Sequence, residues 1–338
     1  MRRQETNRKE KITVIVPCYN EEESVLSFYE RTKAALGQIS EACHEFLFVD
    51  DGSSDRTLEF LRELHEKDAS VRYLSFSRNF GKEAAMYAGL CEARGDYCVI
   101  MDADLQHPPK LLPLMYEAVS KGGYDCCGGK RVGRDGDGAV RSLASRMFYK
   151  VAKALTHMDM GDGYGDFRMM NRTMVDAILS MKEYNRYMKG IFSFVGFRTK
   201  WIPFENVERE KGSSKWNLKS LLSYAMEGIL SFSTAPLKLA GGAGILLLVI
   251  GALYFIGNLA QQIFLPGALS NFDVLLSVIL LLAGLQMEFL FIIGSYLAKD
   301  CMENKKRPVY IVREREDSVE KEGTNMVNFQ YGRANGSF

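Results

Sequence analysis

A chain of 338 residues with 43 basic and 42 acidic side chains, net charge +1, can hold one large domain plus a smaller appendage, and it offers no charge excess for nucleic acid. Its seven cysteines are odd in number, irregularly spaced and without a C-x-x-C pair, which excludes a disulfide framework and suits a reducing compartment.

Residues 1–11 are charged and polar, with no apolar stretch of the kind a signal peptide or anchor needs. Ile12–Pro17 reads as a buried strand that stops at its proline. Val25, Phe28, Tyr29, Thr32 and Leu36 then recur at helical spacing. A second strand, Phe46–Val49, enters Asp50-Asp51-Gly52-Ser53-Ser54-Asp55, where the glycine suits a tight turn and Ser54 or Asp55 a helix cap. Val71–Phe76 is a third strand, Lys82–Ala93 a helix and Tyr97–Met101 a fourth strand. Strands alternating with helices over short connections predict an α/β fold, a mostly parallel sheet with its ligand site at the carboxyl ends of the strands. Tyr19, Glu21, Asp50, Asp51, Arg78, Lys82, Asp102 and Asp104 would converge there. Neither G-x-G-x-x-G after the first strand nor a P-loop motif occurs, which disfavours a plain dinucleotide fold or a P-loop enzyme.

The fourth strand runs into Asp102-Ala103-Asp104-Leu105-Gln106-His107-Pro108-Pro109. Two carboxylates one residue apart at a strand end can hold a divalent ion and through it a diphosphate, but taken alone they read first as acidic residues at a helix start, and His107 reads as a helix-start residue. Asp50-Asp51 by themselves read as a turn with solvated carboxylates. Farther on, Tyr124–Gly129 reads as a strand followed by basic Lys130, Arg131 and Arg134, residues 134–138 as a polar loop, and Ala139–Leu155 as a helix. Gly161–Arg168 reads as a second glycine-and-acid turn, and Arg209–Trp216 as a basic loop. Residues 216–235 suit an amphipathic helix at an interface. No charge occurs from Leu239 to Phe272, and only Glu288 from Val274 to Ala298, so two membrane spans are expected at about 237–260 and 273–298. Lysines and arginines flank the pair (Lys238, Lys299, Lys305, Lys306, Arg307) and are missing from the joining loop, which places both termini in the cytoplasm. Residues 299–338 follow as a cytoplasmic basic segment and, from Arg313, a disordered tail.

Together with Arg78-Asn79-Phe80-Gly81-Lys82, Gly212-Ser213-Ser214-Lys215-Trp216 and Lys306-Arg307-Pro308-Val309-Tyr310, these motifs resemble the inverting family-2 glycosyltransferases of GT-A fold, more narrowly the membrane-anchored polyprenyl-phosphate glycosyltransferases related to dolichyl-phosphate mannose synthase. The resemblance covers roughly Ile12 to Val312, with residues 12–215 as the GT-A domain. It implies a nucleotide-sugar donor, Mg2+ or Mn2+, an undecaprenyl-type polyprenyl phosphate acceptor at the cytoplasmic face of the cell membrane, contact with membrane lipid, and assembly as a homo-oligomer such as a tetramer. By position, Pro17, Tyr19, Glu21, Asp50, Asp51, Lys82 and Asp102 would hold the nucleotide-sugar. Asp102, Asp104 and Gln106 would ligate the metal. Arg131, Arg141 and Ser145 would bind the acceptor phosphate, completed by Arg209 and Lys215. Asp104, Arg131 and Asp166 are the catalytic candidates, with Asp166 a base, a partner of Arg168 or a ligand for sugar hydroxyls. A phosphate acceptor is already anionic near neutral pH, so it needs orienting cations more than a strong base. Two rival readings are an inactive membrane-anchored nucleotide-sugar-binding scaffold, which would usually have lost Asp51 or Asp104, and a processive polysaccharide synthase, whose Q-x-x-R-W motif is missing.

Overall fold

The computed structural model describes residues 9–132, 164–184, 186–205 and 271–316. In chain order these form β1 (Glu10–Cys18), α1 (Val25–Leu36), β2 (Ala42–Asp50), α2 (Thr57–Lys67), β3 (Val71–Phe76), α3 (Lys82–Glu92), β4 (Tyr97–Ile100), a short 3-10 turn (Pro109–Leu111), α4 (Leu112–Ser120), β5 (Cys126–Val132), β6 (Tyr164–Asn171), α5 (Arg172–Ser180), α6 (Met188–Phe194), β7 (Thr199–Glu205), α7 (Asn271–Asn304) and β8 (Val312–Arg315). The eight strands make one sheet in the order β7-β5-β6-β4-β1-β2-β3-β8. Strands β3, β2, β1 and β4 are parallel, whereas β6 runs antiparallel to β4 and β5, and β8 antiparallel to β3. The sheet with residues 307–316 forms one compact unit, and residues 271–306 belong to a second.

The central strands are apolar at nearly every position because both faces are covered. Alternation along β2 divides the work: Phe46 and Phe48 enter the core shared with α1, α2 and α4, and Leu47 and Val49 enter the core shared with α3. Helix α3 lies so close to β1 that a Cβ on Gly89 would fall 2.2 Å from Ile15 Cγ2, which is why its middle is small-residue rich.

Two expectations are corrected. Gly161–Arg168 is not simply a turn: β6 begins at Tyr164, and its alternation of Tyr164, Asp166 and Arg168 against Phe167 and Met169 is that of a strand, masked by flanking glycines. The tail expected from Arg313 begins in a strand: Val312–Arg315 forms β8, and residues 317–338 lie outside the described residues. Strand β8 closes the edge of β3, with Arg62 paired to Glu314 at 2.6–2.7 Å, Arg72 to Glu316 at 2.7 Å, and Tyr73 donating to Glu314. Buried Tyr310 stacks on Phe76 at 5.0 Å. Charge pairs hold this edge strand, so no apolar period announced it. The first expected span, the amphipathic 216–235 segment and the 139–155 helix lie outside the described residues, as do many side chains of α7. Among the described residues, no helix is long and apolar enough to cross a membrane.

The loops after β1, β2 and β3 are fastened to one another. Asn20, in a left-handed conformation (φ 55°), donates its N–H to Ser53 Oγ and accepts from Ser54 N–H; Glu21 N–H donates to Thr57 Oγ1. Asp50 accepts from Ser53 N–H and Ser75 Oγ, and Asp51 from the N–H groups of Phe80 and Gly81 at 2.7–3.2 Å. Gly52 (φ +68°) lets the β2 loop pass Arg78, whose carbonyl carbon would lie 2.5 Å from a Cβ there. Asp50 and Asp51 are only 1% and 3% exposed with both oxygens of each engaged, so in this structure they shape the loops at the strand ends, Asp51 the one that leads into Lys82.

Tyr310→Ala should lower stability by about 3 kcal/mol, as large aromatic truncations in a core do, whereas Glu314→Gln, removing a partly exposed pair, should lower it by about 1 kcal/mol or less. Denaturant unfolding of the full-length chain checks both; an unchanged midpoint for Tyr310→Ala would show that β8 is not part of the folded sheet. Burial, with Asp50 adding, pushes the Asp51 carboxyl up to about 6, against the pull of the two N–H groups. This is above its value of about 3.9 in an unfolded chain. Ionising it therefore opposes folding, an effect absent below pH 4 that grows as pH rises to about 6. Asp51→Asn should accordingly gain stability relative to the parent protein between pH 4.5 and 7; no relative gain would contradict the burial argument.

Candidate active site

The parallel strands β1–β4 all end on one edge of the sheet, and the polar residues predicted from sequence lie just beyond those ends. Register brings a further residue to the same place. Ile100 pairs with Arg168 across the antiparallel β4–β6 ladder, so Asp102 and Asp166 are each two residues beyond that pair in the same direction. Strand β5 ends on this edge too, with Lys130 opposite Tyr164 and Arg131 exposed next to it.

The Asp102–Gln106 turn is held from several sides. Met101 N–H donates to Ile15 O at 3.0 Å, and Asp102 N–H donates to His107 Nδ1 at 3.1 Å. Because a backbone N–H can only donate, Nδ1 is the acceptor and the proton of the neutral ring sits on Nε2, 4.0 Å from Asp102 Oδ2. Burial holds this imidazole below its usual range, against the opposing charge of Asp102. His107 stacks on Phe167 at 4.9 Å. It is thus a clamp on the acidic turn as well as a helix-start residue. Leu105 is buried yet left-handed (φ 60°), a strained conformation of the kind that collects at functional sites. Gln106 N–H donates to Asp104 Oδ1 at 3.1 Å.

At the centre is Lys82, the first residue of α3. Its ammonium lies 2.8 and 2.9 Å from the two oxygens of Asp102 and 2.8 Å from Asp166 Oδ2. Desolvation works against its charge, but Asp102 and Asp166 hold its pKa well above the ordinary lysine value. Reciprocally, Asp102 is lowered despite burial, chiefly by Lys82, and Asp166 lies far below the carboxylate range despite burial, held there by Lys82 and then Lys189. Asp166 Oδ1 is buried without a hydrogen-bond partner among the described residues. A carboxylate so stabilised in its charged form is a poor base; its free oxygen is suited to accept from a hydroxyl. Arg168 does not take that oxygen: it donates to Gly165 O at 2.7 Å and lies over the Phe192 ring at 3.7 Å.

Of the other expected contacts, Tyr19 is 38% exposed at the end of β1, Glu21 accepts from Ser24 Oγ, and Pro17 is half-buried in β1 beside Val49. Arg141, Ser145, Arg209 and Lys215 lie outside the described residues. Sequence reasoning missed Lys189, the clamp role of His107, and a wall formed by Tyr164 and Trp201, stacked at 3.8 Å with Lys130 over the tyrosine. The signal for Tyr164 and Asp166 was the two-residue period of β6; nothing local marks Lys189 or Trp201.

Among the described residues, no three His, Cys, Asp or Glu side chains gather as a complete metal cluster. The oxygens of Asp102, Asp104 and Gln106 nevertheless fit a hard divalent cation of the Mg2+ or Mn2+ type, which takes one or two carboxylates and completes its shell with substrate phosphates and water. The buried Asp166 oxygen, without a partner among the described residues, also marks the pocket as built for a polar ligand.

The family model for glycosyl transferase family 2 matches residues 13–179. CsbB of Bacillus subtilis (strain 168), provisionally named as a glycosyltransferase, is 40% identical over 303 residues, covering 90% of this chain and 91% of that protein. The bactoprenol glucosyl transferase of Shigella phage SfV is 36% identical over 303 residues, 90% of this chain and 98% of that one. Among solved structures, glucosyl-3-phosphoglycerate synthase from Mycobacterium tuberculosis is similar at 18% identity and a TM-score of 0.43, covering 65% of this chain and 78% of that one. With relatives this similar along nine-tenths of its length, the chain is a glycosyltransferase and belongs to glycosyl transferase family 2.

Proposed function

We propose that this glycosyltransferase moves a sugar, with inversion, from a nucleoside-diphosphate donor to a polyprenyl phosphate. The observation that carries this reading is the cluster of Asp102 and Asp166 on Lys82, beside Asp104 and next to the basic end of β5. It is supported by relatives named bactoprenol glucosyl transferase that match nine-tenths of the chain. Asp104, Gln106 and Asp102 would hold a divalent cation. Such an ion, when bound, supplies Lewis-acid neutralisation of the departing diphosphate.

The chain's own residues perform the rest. A phosphate oxygen of the acceptor forms the new bond to the anomeric carbon, and the bond from that carbon to the diphosphate breaks with its electron pair leaving on the nucleotide. No proton needs to be removed from a phosphate already ionised near neutral pH. Asp166, kept charged by Lys82 and Lys189, therefore orients the donor sugar through its free oxygen and does not serve as the base. Arg131 fixes the acceptor anion, joined by Arg141, Ser145, Arg209 and Lys215. Tyr19, Glu21 and Pro17 line the nucleotide side, and Asp50 and Asp51 set the loops beneath it.

The same reading places the chain in the cell membrane with its catalytic unit cytoplasmic. Its support is the sequence alone, which carries Glu288 as the single charge between Val274 and Ala298, about the length that a bilayer core needs. The chargeless 239–272 segment and the flanking basic residues complete it.

Carbonate-washed membranes holding the full-length chain, given a panel of labelled nucleotide sugars and undecaprenyl phosphate, should form one labelled lipid-linked monosaccharide. Asp104→Ala should lower that turnover by more than about a hundredfold, Arg131→Ala by about tenfold or more, and Asp166→Asn should raise the donor KM while keeping measurable turnover, since positioning and charge rather than proton removal are lost. Activity washed off with the soluble fraction would contradict the membrane reading. A chain elongated on soluble sugars would point to a polysaccharide synthase, nucleotide binding without turnover to a scaffold, and loss of turnover in Asp166→Asn alone to base catalysis.

A further inference from the structure

We propose that Lys82 competes with the divalent cation for Asp102 and thereby makes metal and nucleotide bind as a unit; this inference rests on the donor-site reading above. Both oxygens of Asp102 are bonded to one ammonium, at 2.8 and 2.9 Å, and the same ammonium holds Asp166 at 2.8 Å. A cation placed on Asp102 must take at least one of those oxygens from Lys82 and come within a few Å of its positive charge. Arriving alone, it meets that repulsion with only the carboxylates of Asp102 and Asp104 in return. Arriving with a diphosphate, it brings anionic oxygens to which the displaced ammonium can turn, so a phosphate oxygen takes the place of Asp102 as the partner of Lys82.

The position of Lys82 favours this exchange. It is the first residue of α3, on a loop set by the Asp51 bonds to Phe80 and Gly81, and its side chain remains partly exposed, so its head can move without disturbing the core. Glu83, next to it, accepts from Met188 N–H at 2.8 Å, which fixes the backbone while the lysine side chain turns. Lys82 is on this account a positioning residue: it lowers the affinity for the ion alone and, because coupling is reciprocal, raises by one and the same factor the benefit that ion and nucleotide confer on each other.

The test measures Mn2+ binding to the full-length chain by electron paramagnetic resonance, with and without UDP. Lys82→Met should bind Mn2+ alone about tenfold or more tightly than the parent, as removing a unit positive charge a few Å away predicts, and the factor by which UDP tightens Mn2+ should shrink at least as much. Lys82→Arg, which keeps the charge, should retain the parent pattern, and a purely structural role would not produce this split. Lys82→Gln reads the same quantities if the Met variant does not fold. Unchanged or weaker binding of Mn2+ alone in Lys82→Met and Lys82→Gln would overturn the inference while leaving the donor site standing. Unchanged Mn2+–UDP binding in Asp104→Ala would instead remove the donor-site reading, and the inference with it.

Discussion

One ammonium shared by two carboxylates from separate parts of the chain holds this site together. Asp102 lies just beyond the parallel strand β4 and Asp166 near the start of the antiparallel strand β6, and neither would be tolerated half-buried beside the other without Lys82 between them. At an effective dielectric of about 20, two like charges some 4 Å apart repel by about 4 kcal/mol. The ammonium adds an attraction to each carboxylate that outweighs this repulsion, and the pKa directions of all three groups follow from it.

The surrounding structure serves to keep these three groups in register. Loops after β1 and β2 are bonded through Asn20, Ser53 and Thr57, and the Asp51 carboxylate fixes the backbone just ahead of Lys82. On the other side His107 clamps Asp102 and rests on Phe167, whose strand also carries Asp166. The strain in Leu105 is maintained by its burial in the same core. At the far edge, β8 and Tyr310 cover β3 and the packing around α3, so the tail supports the helix that begins with Lys82.

Local pattern made the parallel half of the fold legible: β1 to β4 and α1 to α3 are written in apolar runs, helical spacing and turn residues, and the Asp102-x-Asp104 motif stands at a strand end. What pattern could not show were relations set by distant pairing. Gly161–Arg168 reads as a turn in sequence because of its glycines, although from Tyr164 its period is two. Val312–Arg315 reads as tail because its partners are charges on β3 and α2 rather than an apolar face. Asp51 reads as a ligand contact because sequence does not reveal that Phe80 and Gly81 present two N–H groups to it. The family resemblance supplied Asp166 as a candidate, but sequence does not show Lys82 bonded to it or Lys189 acting on it, the two charges that favour its ionised form.

The most direct measurement is a structure of the full-length chain with Mn2+ and a nucleoside diphosphate bound. The account predicts the ion on Asp102, Asp104 and Gln106 next to the diphosphate, Lys82 turned from Asp102 toward a phosphate oxygen, and Asp166 still paired with a lysine. An ion bound elsewhere, with Lys82 still on both oxygens of Asp102, would contradict it.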